Sequence, residues 1–128
     1  MWTIILAMER IPIAQVLEAK LLDFSDVQVI SVADYVKAAS IACSRKAQMV
    51  LFEIAEWGEY DADYCLFQCA RLRSEAPDCG IILLCPETDE SSVAAAVHAR
   101  LDGIIDDFVF YDASTDFLVS KLLLGRRA

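Results

Sequence analysis

Five short, mostly apolar runs punctuate the chain: residues 3–8, 27–32, 48–54, which is too dense to alternate, 81–85 and 104–110. Runs of this length without a period of two read as strands buried on both faces, the pattern of a parallel sheet. Between them the periodicity turns helical. Pro12 opens a first helix at a first-turn position, where its missing N–H costs nothing. Ile13, Val16, Leu17, Leu21 and Phe24 then recur on one stripe, and Lys20 intrudes on it with a stem long enough to snorkel out. Asp34 is placed to cap a second helix over residues 35–46. Asp61 or Asp63 starts a third, with Ala62, Cys65, Leu66, Cys69, Leu72 and Ala76 inward and Tyr64, Phe67 and Arg71 outward, until residues 77–80 (Pro-Asp-Cys-Gly) break it. Thr88 or Asp89 caps a fourth over residues 90–101, with Val93, Val97 and Leu101 expected to face the sheet. Asp112 or Ser114 starts the fifth, which is expected to end near Gly125.

Five strands alternating with five helices predict an α/β chain, a three-layer (βα)5 sandwich around a parallel sheet. Right-handed crossovers leave few topologies, and the flavodoxin-like order 2-1-3-4-5 is the expected one at this size. The 128 residues suffice for one domain, residues 1–128, with no internal repeat or low-complexity segment.

Composition narrows the function classes. Although 57% of residues are hydrophobic, no run approaches the ~18–20 residues of a membrane span. The start has no basic lead-in or cleavage site, so a cytoplasmic protein is expected. The five cysteines are an odd number without a CxxC pair. With His98 the only histidine, they read as reduced, mostly buried thiols and not as a zinc site. The net charge is −9, with acids gathered in two base-free stretches, residues 53–63 and 102–116. Direct nucleic-acid binding by the domain is therefore not expected, since phosphate contacts need clustered Lys and Arg.

Open α/β sheets place their chemistry at the carboxyl ends of the strands. There Met8 and Glu9 follow the first strand, Glu53 ends the third, Cys85 ends the fourth and Tyr111 follows the fifth. In element order, length and the placing of these positions, the chain resembles the receiver domain of bacterial response regulators. The resemblance implies a pair of Mg²⁺-binding acids after strand one and a phosphoacceptor Asp at the end of strand three. It also implies a Thr or Ser after strand four and a Lys-Pro after strand five. Here Glu9 is the one carboxylate left after strand one, Glu53 takes the phosphoacceptor position, Cys85 the hydroxyl position, Tyr111 the lysine position and Asp112 the proline position.

Phosphoryl transfer to a carboxylate needs a metal and a fixed cation near the transferred group. No residue at these positions supplies the lysine's charge, and Glu53 carries its carboxylate one methylene further out, which spoils attack geometry. Glu53 is therefore expected to be a strand-end acid facing solvent and capping N–H groups of a neighbouring loop. No catalytic residue and no cofactor are expected; a weak Mg²⁺ site at Glu9 and Glu53 is the alternative. Cys85 is a poor nucleophile candidate, with Glu87, Asp89 and Glu90 beside it and His98 about three turns down the next helix. No glycine-rich loop follows strand one to cradle a nucleotide.

These readings predict a non-catalytic, phosphorylation-independent, receiver-like signalling module acting by protein–protein interaction. The competing classes are a Mg²⁺-dependent phosphoacceptor with an atypical site, and a small-molecule sensor whose pocket is walled by Trp57, Tyr111 and Met8. The resemblance directs attention to the face formed by helix four, strand five and helix five, where Ala94, Ala95, His98, Phe110 and Phe117 are the candidate contacts for a homodimer or a protein partner. A fifth helix apolar around much of its circumference agrees with further burial there. The last residues, 122–128, read as the start of a linker to an output domain, which would make this the amino-terminal domain of a longer regulator; alternatively the protein stands alone.

Overall fold

A computed structural model describes residues 1–126; Arg127 and Ala128, and with them the end of the expected linker, lie outside the described residues. Strands β1 (Trp2–Ala7), β2 (Val27–Val32), β3 (Met49–Glu53), β4 (Gly80–Cys85) and β5 (Asp107–Phe110) alternate with helices α1 (Ile11–Leu21), α2 (Tyr35–Arg45), α3 (Ala62–Glu75), α4 (Glu90–Leu101) and α5 (Thr115–Leu122). All neighbouring strands pair in parallel, in the order β2-β1-β3-β4-β5. This is the expected flavodoxin-like α/β sandwich. No described helix is long and apolar enough to cross a membrane.

Alternate residues of the central strands feed two cores, as the pleat requires. Ile5, Ala7, Val50, Phe52, Ile81 and Leu83 pack under α2, α3 and α4. Ile4, Leu6, Leu51, Ile82 and Leu84 pack under α1 and α5. Only β1, β3 and β4 are buried nearly throughout; β2 and β5 are partly exposed. The expectation of five doubly buried strands is corrected for these two, which lie at the sheet edges with a neighbour on one side only. The fifth strand is also shorter than its apolar run, because the Ile104 N–H bonds back to Ala99 O at the end of α4 before pairing begins.

Three of the five helix starts carry the expected side-chain cap, while Asp89 at the start of α4 makes no such bond. Asp34, Asp61 and Ser114 each accept a backbone N–H of the first turn, the bond that makes these residue types good N-caps. In α3, Cys65 and Cys69 are buried as expected, and Gln68 is buried beside them with its carbonyl oxygen unpaired. In α1 the buried residues are Ala14, Leu17 and Leu21, while Val16 is exposed; Lys20 does reach outward, to Asp116 at 2.6 Å.

The inward face of α4 differs from the expected stripe. Ser92, Ala96 and Ala99 face the sheet, Val93 is half-buried, and Val97 and Leu101 are exposed. Small residues at three- and four-residue spacing let the helix approach closely. The Ser92 hydroxyl donates to Asp89 at 2.7 Å, which fixes the first turn in that rotation.

Candidate functional site

The loops that follow the five strands hold eight acidic residues and a single base, Arg10. Glu53, the last residue of β3, is the centre of this end of the sheet, and it does not face solvent. Its side chain is 1% exposed. One carboxylate oxygen, Oε1, accepts the consecutive backbone N–H groups of Glu9 and Arg10, each at 3.0 Å. The other, Oε2, accepts Arg10 Nε at 2.6 Å. The expected capping of a neighbouring loop is present, but the expected exposure is corrected. Unpaired N–H groups and the positive end of the α1 dipole lie at the helix start, and together with a guanidinium they offset the cost of taking this carboxylate out of water.

Arg10 also corrects the expectation that the site lacks a cation. Its guanidinium carbon lies 3.8 Å from the centroid of the Tyr111 ring, so the residue at the lysine position carries the positive charge by cation–π contact instead of supplying it. The Tyr111 hydroxyl in turn donates to Ile54 O, just beyond Glu53. Burial raises the Tyr111 phenol above its ordinary range, with Glu53 adding to the shift and Arg10 opposing it; the ring stays neutral and able to donate. Glu53 is braced from the other side of the sheet as well. Its backbone carbonyl accepts the Tyr35 hydroxyl at 2.7 Å and the Cys65 thiol at 3.6 Å, and Tyr35 stacks on Tyr60 with ring centroids 3.9 Å apart.

Of the sequence-designated pocket residues, Glu9, Glu53 and Tyr111 line one cleft of about 210 Å³ together with Arg10, Ala55, Glu56 and Trp57. Met8 and Cys85 do not line it; both are packed in the cores. The Cys85 thiol is pushed up to about 11, by burial first and then by Asp89 and Glu87, so it is protonated and weakly nucleophilic. Among the described residues no three His, Cys, Asp or Glu side chains gather to hold a metal ion. Both oxygens of Glu53 are already engaged, which leaves Glu9 as the free carboxylate of the pair considered for Mg²⁺.

On the other candidate surface, Ala94, His98, Phe110 and Phe117 are exposed and Ala95 is half-buried. Val97 and Leu101 add to this face. Asp107 of β5 ties the elements together, accepting Lys121 of α5 at 2.7 Å and lying 3.8 Å from Arg100 of α4.

Sequence reasoning missed Arg10 as a site residue. Its signal was present: it is the lone base among the loops that follow the strands. What the sequence could not show is that Glu53, 43 residues away, turns inward to meet it.

No family model matches the sequence, and no curated protein matches it either. Solved structures do match. A CheY-like response regulator receiver domain protein from Methanospirillum hungatei JF-1 superposes with a TM-score of 0.74 at 12% identity, covering 95% of this chain and 90% of that one. A response regulator from Thermotoga maritima gives 0.70 at 18% identity, covering 94% and 93%. The adenylate cyclase from Rhodopirellula baltica gives 0.73 at 15% identity, covering 94% and 83%. The fold is that of response-regulator receiver domains. More particularly, it is the CheY-like (βα)5 form with a glutamate, held by an arginine, at the end of the third strand.

Proposed function

We propose that this chain is a non-enzymatic receiver-like signalling module that acts through protein–protein contact and independently of phosphorylation. The observation that carries the reading is the state of Glu53: buried, with both carboxylate oxygens engaged by Arg10 and two loop N–H groups. An acid that is to attack phosphorus needs a free, aligned lone pair and a metal beside it. Here attack would first require breaking the Arg10 pair, and an incoming phosphoryl donor would meet the acids of the surrounding loops.

The surface read by the partner is proposed to be the α4–β5–α5 face, where Val97, Leu101, Phe110 and Phe117 are exposed apolar residues around the Arg100–Asp107–Lys121 cluster. A two-fold contact between copies is the proposed geometry. Sedimentation velocity over a concentration series tests both parts, with wild type compared with Phe117→Asp and Leu101→Asp in the presence and absence of acetyl phosphate and Mg²⁺. The expected result is association that weakens in either variant and is indifferent to the phosphodonor. A donor-dependent change in association would contradict the reading; association unchanged in both variants would reject the face.

A further inference from the structure

Among the described residues Trp57 is the most exposed large apolar side chain, 85% accessible. It stands on the β3–α3 loop just before Gly58, whose φ of +96° belongs to the left-handed region that glycine favours. Trp57 lines the same cleft as the Arg10–Glu53 pair. In that cleft the Arg10 and Glu53 charges meet and offset one another, whereas Glu9 and Glu56, which also line it, make no ion pair among the described residues.

We infer that this cleft is the seat for an arginine or lysine side chain presented by a basic surface of a partner protein, with Trp57 stacking on the inserted cation and Glu9 and Glu56 pairing with it. The inference rests on the protein–protein reading above and adds to the α4–β5–α5 face a second contact, with a partner of basic surface. Size argues for one side chain: about 210 Å³ is below the ~300 Å³ at which clefts for drug-sized ligands begin, so the small-molecule sensor is disfavoured. Charge argues for a cation, because an anion would enter among eight loop acids offset by one base already committed to Glu53. Tryptophan is the ring that binds cations best, and the Tyr111 ring already carries Arg10. A bare divalent ion would find no three-ligand cluster among the described residues. A second copy of this chain is not the proposed occupant, because the two-fold contact proposed above lies on the α4–β5–α5 face and the one base of the strand-end loops, Arg10, is committed to its own Glu53.

The test uses a fluorescently labelled peptide of alternating arginine and leucine, read by anisotropy against the full chain. Controls are the same peptide with citrulline, which keeps the shape and drops the charge, and with glutamate. The expected result is saturable binding of the arginine peptide that weakens with salt. It should become roughly tenfold weaker in Trp57→Ala and in Glu9→Gln/Glu56→Gln, as loss of a hot-spot contact implies, with no binding of either control. Trp57 is exposed, so its substitution leaves folding intact. Equal affinity for the citrulline peptide, no saturable binding, or affinity unchanged in the variants would overturn the inference. So would competition by Mg²⁺ at equal ionic strength, or Trp57-dependent self-association, which would assign the cleft to an ion or to a second copy. The intact mass of the same samples after acetyl phosphate treatment keeps the two readings apart. A phosphoryl adduct sinks the phosphorylation-independent reading whatever the peptide does, whereas failed binding without an adduct sinks only the docking cleft.

Discussion

Replacing Glu53 with alanine should destabilise the fold, and the size of the effect separates a structural acid from a functional one. The substitution removes three charge-assisted hydrogen bonds, two to the loop N–H groups at 3.0 Å and one to Arg10 at 2.6 Å. Such bonds are worth about 1.5–3 kcal/mol each. The sum overstates the loss, because the Arg10 side chain is 36% exposed and regains water, and the N–H groups border the cleft and regain some too. A net loss of about 2–4 kcal/mol follows, equivalent to a fall in Tm of roughly 10 °C for a domain of this size. Arg10→Met should lose somewhat less, because two donors remain on the carboxylate. The two changes should be coupled by about 1 kcal/mol or more in a double-mutant cycle. Urea denaturation followed by circular dichroism measures all three, with the exposed Glu56→Ala as a control expected within about 0.5 kcal/mol of wild type. An unpaired acid kept for chemistry behaves oppositely, since removing it relieves strain and commonly stabilises. A Glu53→Ala protein as stable as wild type, or more so, would refute the reasoning.

Three further outcomes follow from the same structure. Cys65 and Cys69 are buried and burial raises both thiols, so a thiol reagent should label half-buried Cys43 first and reach these two only on denaturation; rapid native labelling of both would show that α3 is misoriented. Tyr35→Phe deletes the 2.7 Å bond to Glu53 O while keeping the ring stacked on Tyr60, and should cost about 1–1.5 kcal/mol by urea denaturation. Burial pushes the Asp107 carboxyl up, but Lys121, the Phe108 N–H and Arg100 together hold it below the usual range. Its contribution is therefore present above the unfolded value of about 4 and is lost as pH falls through the lower folded one. Asp107→Asn should be less stable than wild type at neutral pH, with the gap closing on acidification; a gap that widens toward acid would contradict this.

The layout of the fold was legible because local signals agreed. Apolar runs, Pro12, the caps at Asp34, Asp61 and Ser114, and the break at Pro77 all point to one alternation of strand and helix. Burial at the sheet edges was less legible, because an edge strand and a central strand can be equally apolar in sequence. The inward face of α4 is not its bulkiest one, because Ala96 and Ala99 let the helix sit nearer the sheet than Val97 and Leu101 would. At the site, the strand-end positions of Glu53 and Tyr111 followed from counting elements. The turn of Glu53 inward to Arg10 did not, since it depends on a contact across two strands that no local pattern encodes.

The central claim is that the Glu53 carboxylate is held in the fold and does not take phosphate. The measurement that tests it most directly is the intact mass of the protein after incubation with acetyl phosphate and Mg²⁺, with Glu53→Ala and Arg10→Met treated alongside. An unmodified wild-type mass is expected. A stoichiometric gain of one phosphoryl group on wild type that is absent from Glu53→Ala would contradict it.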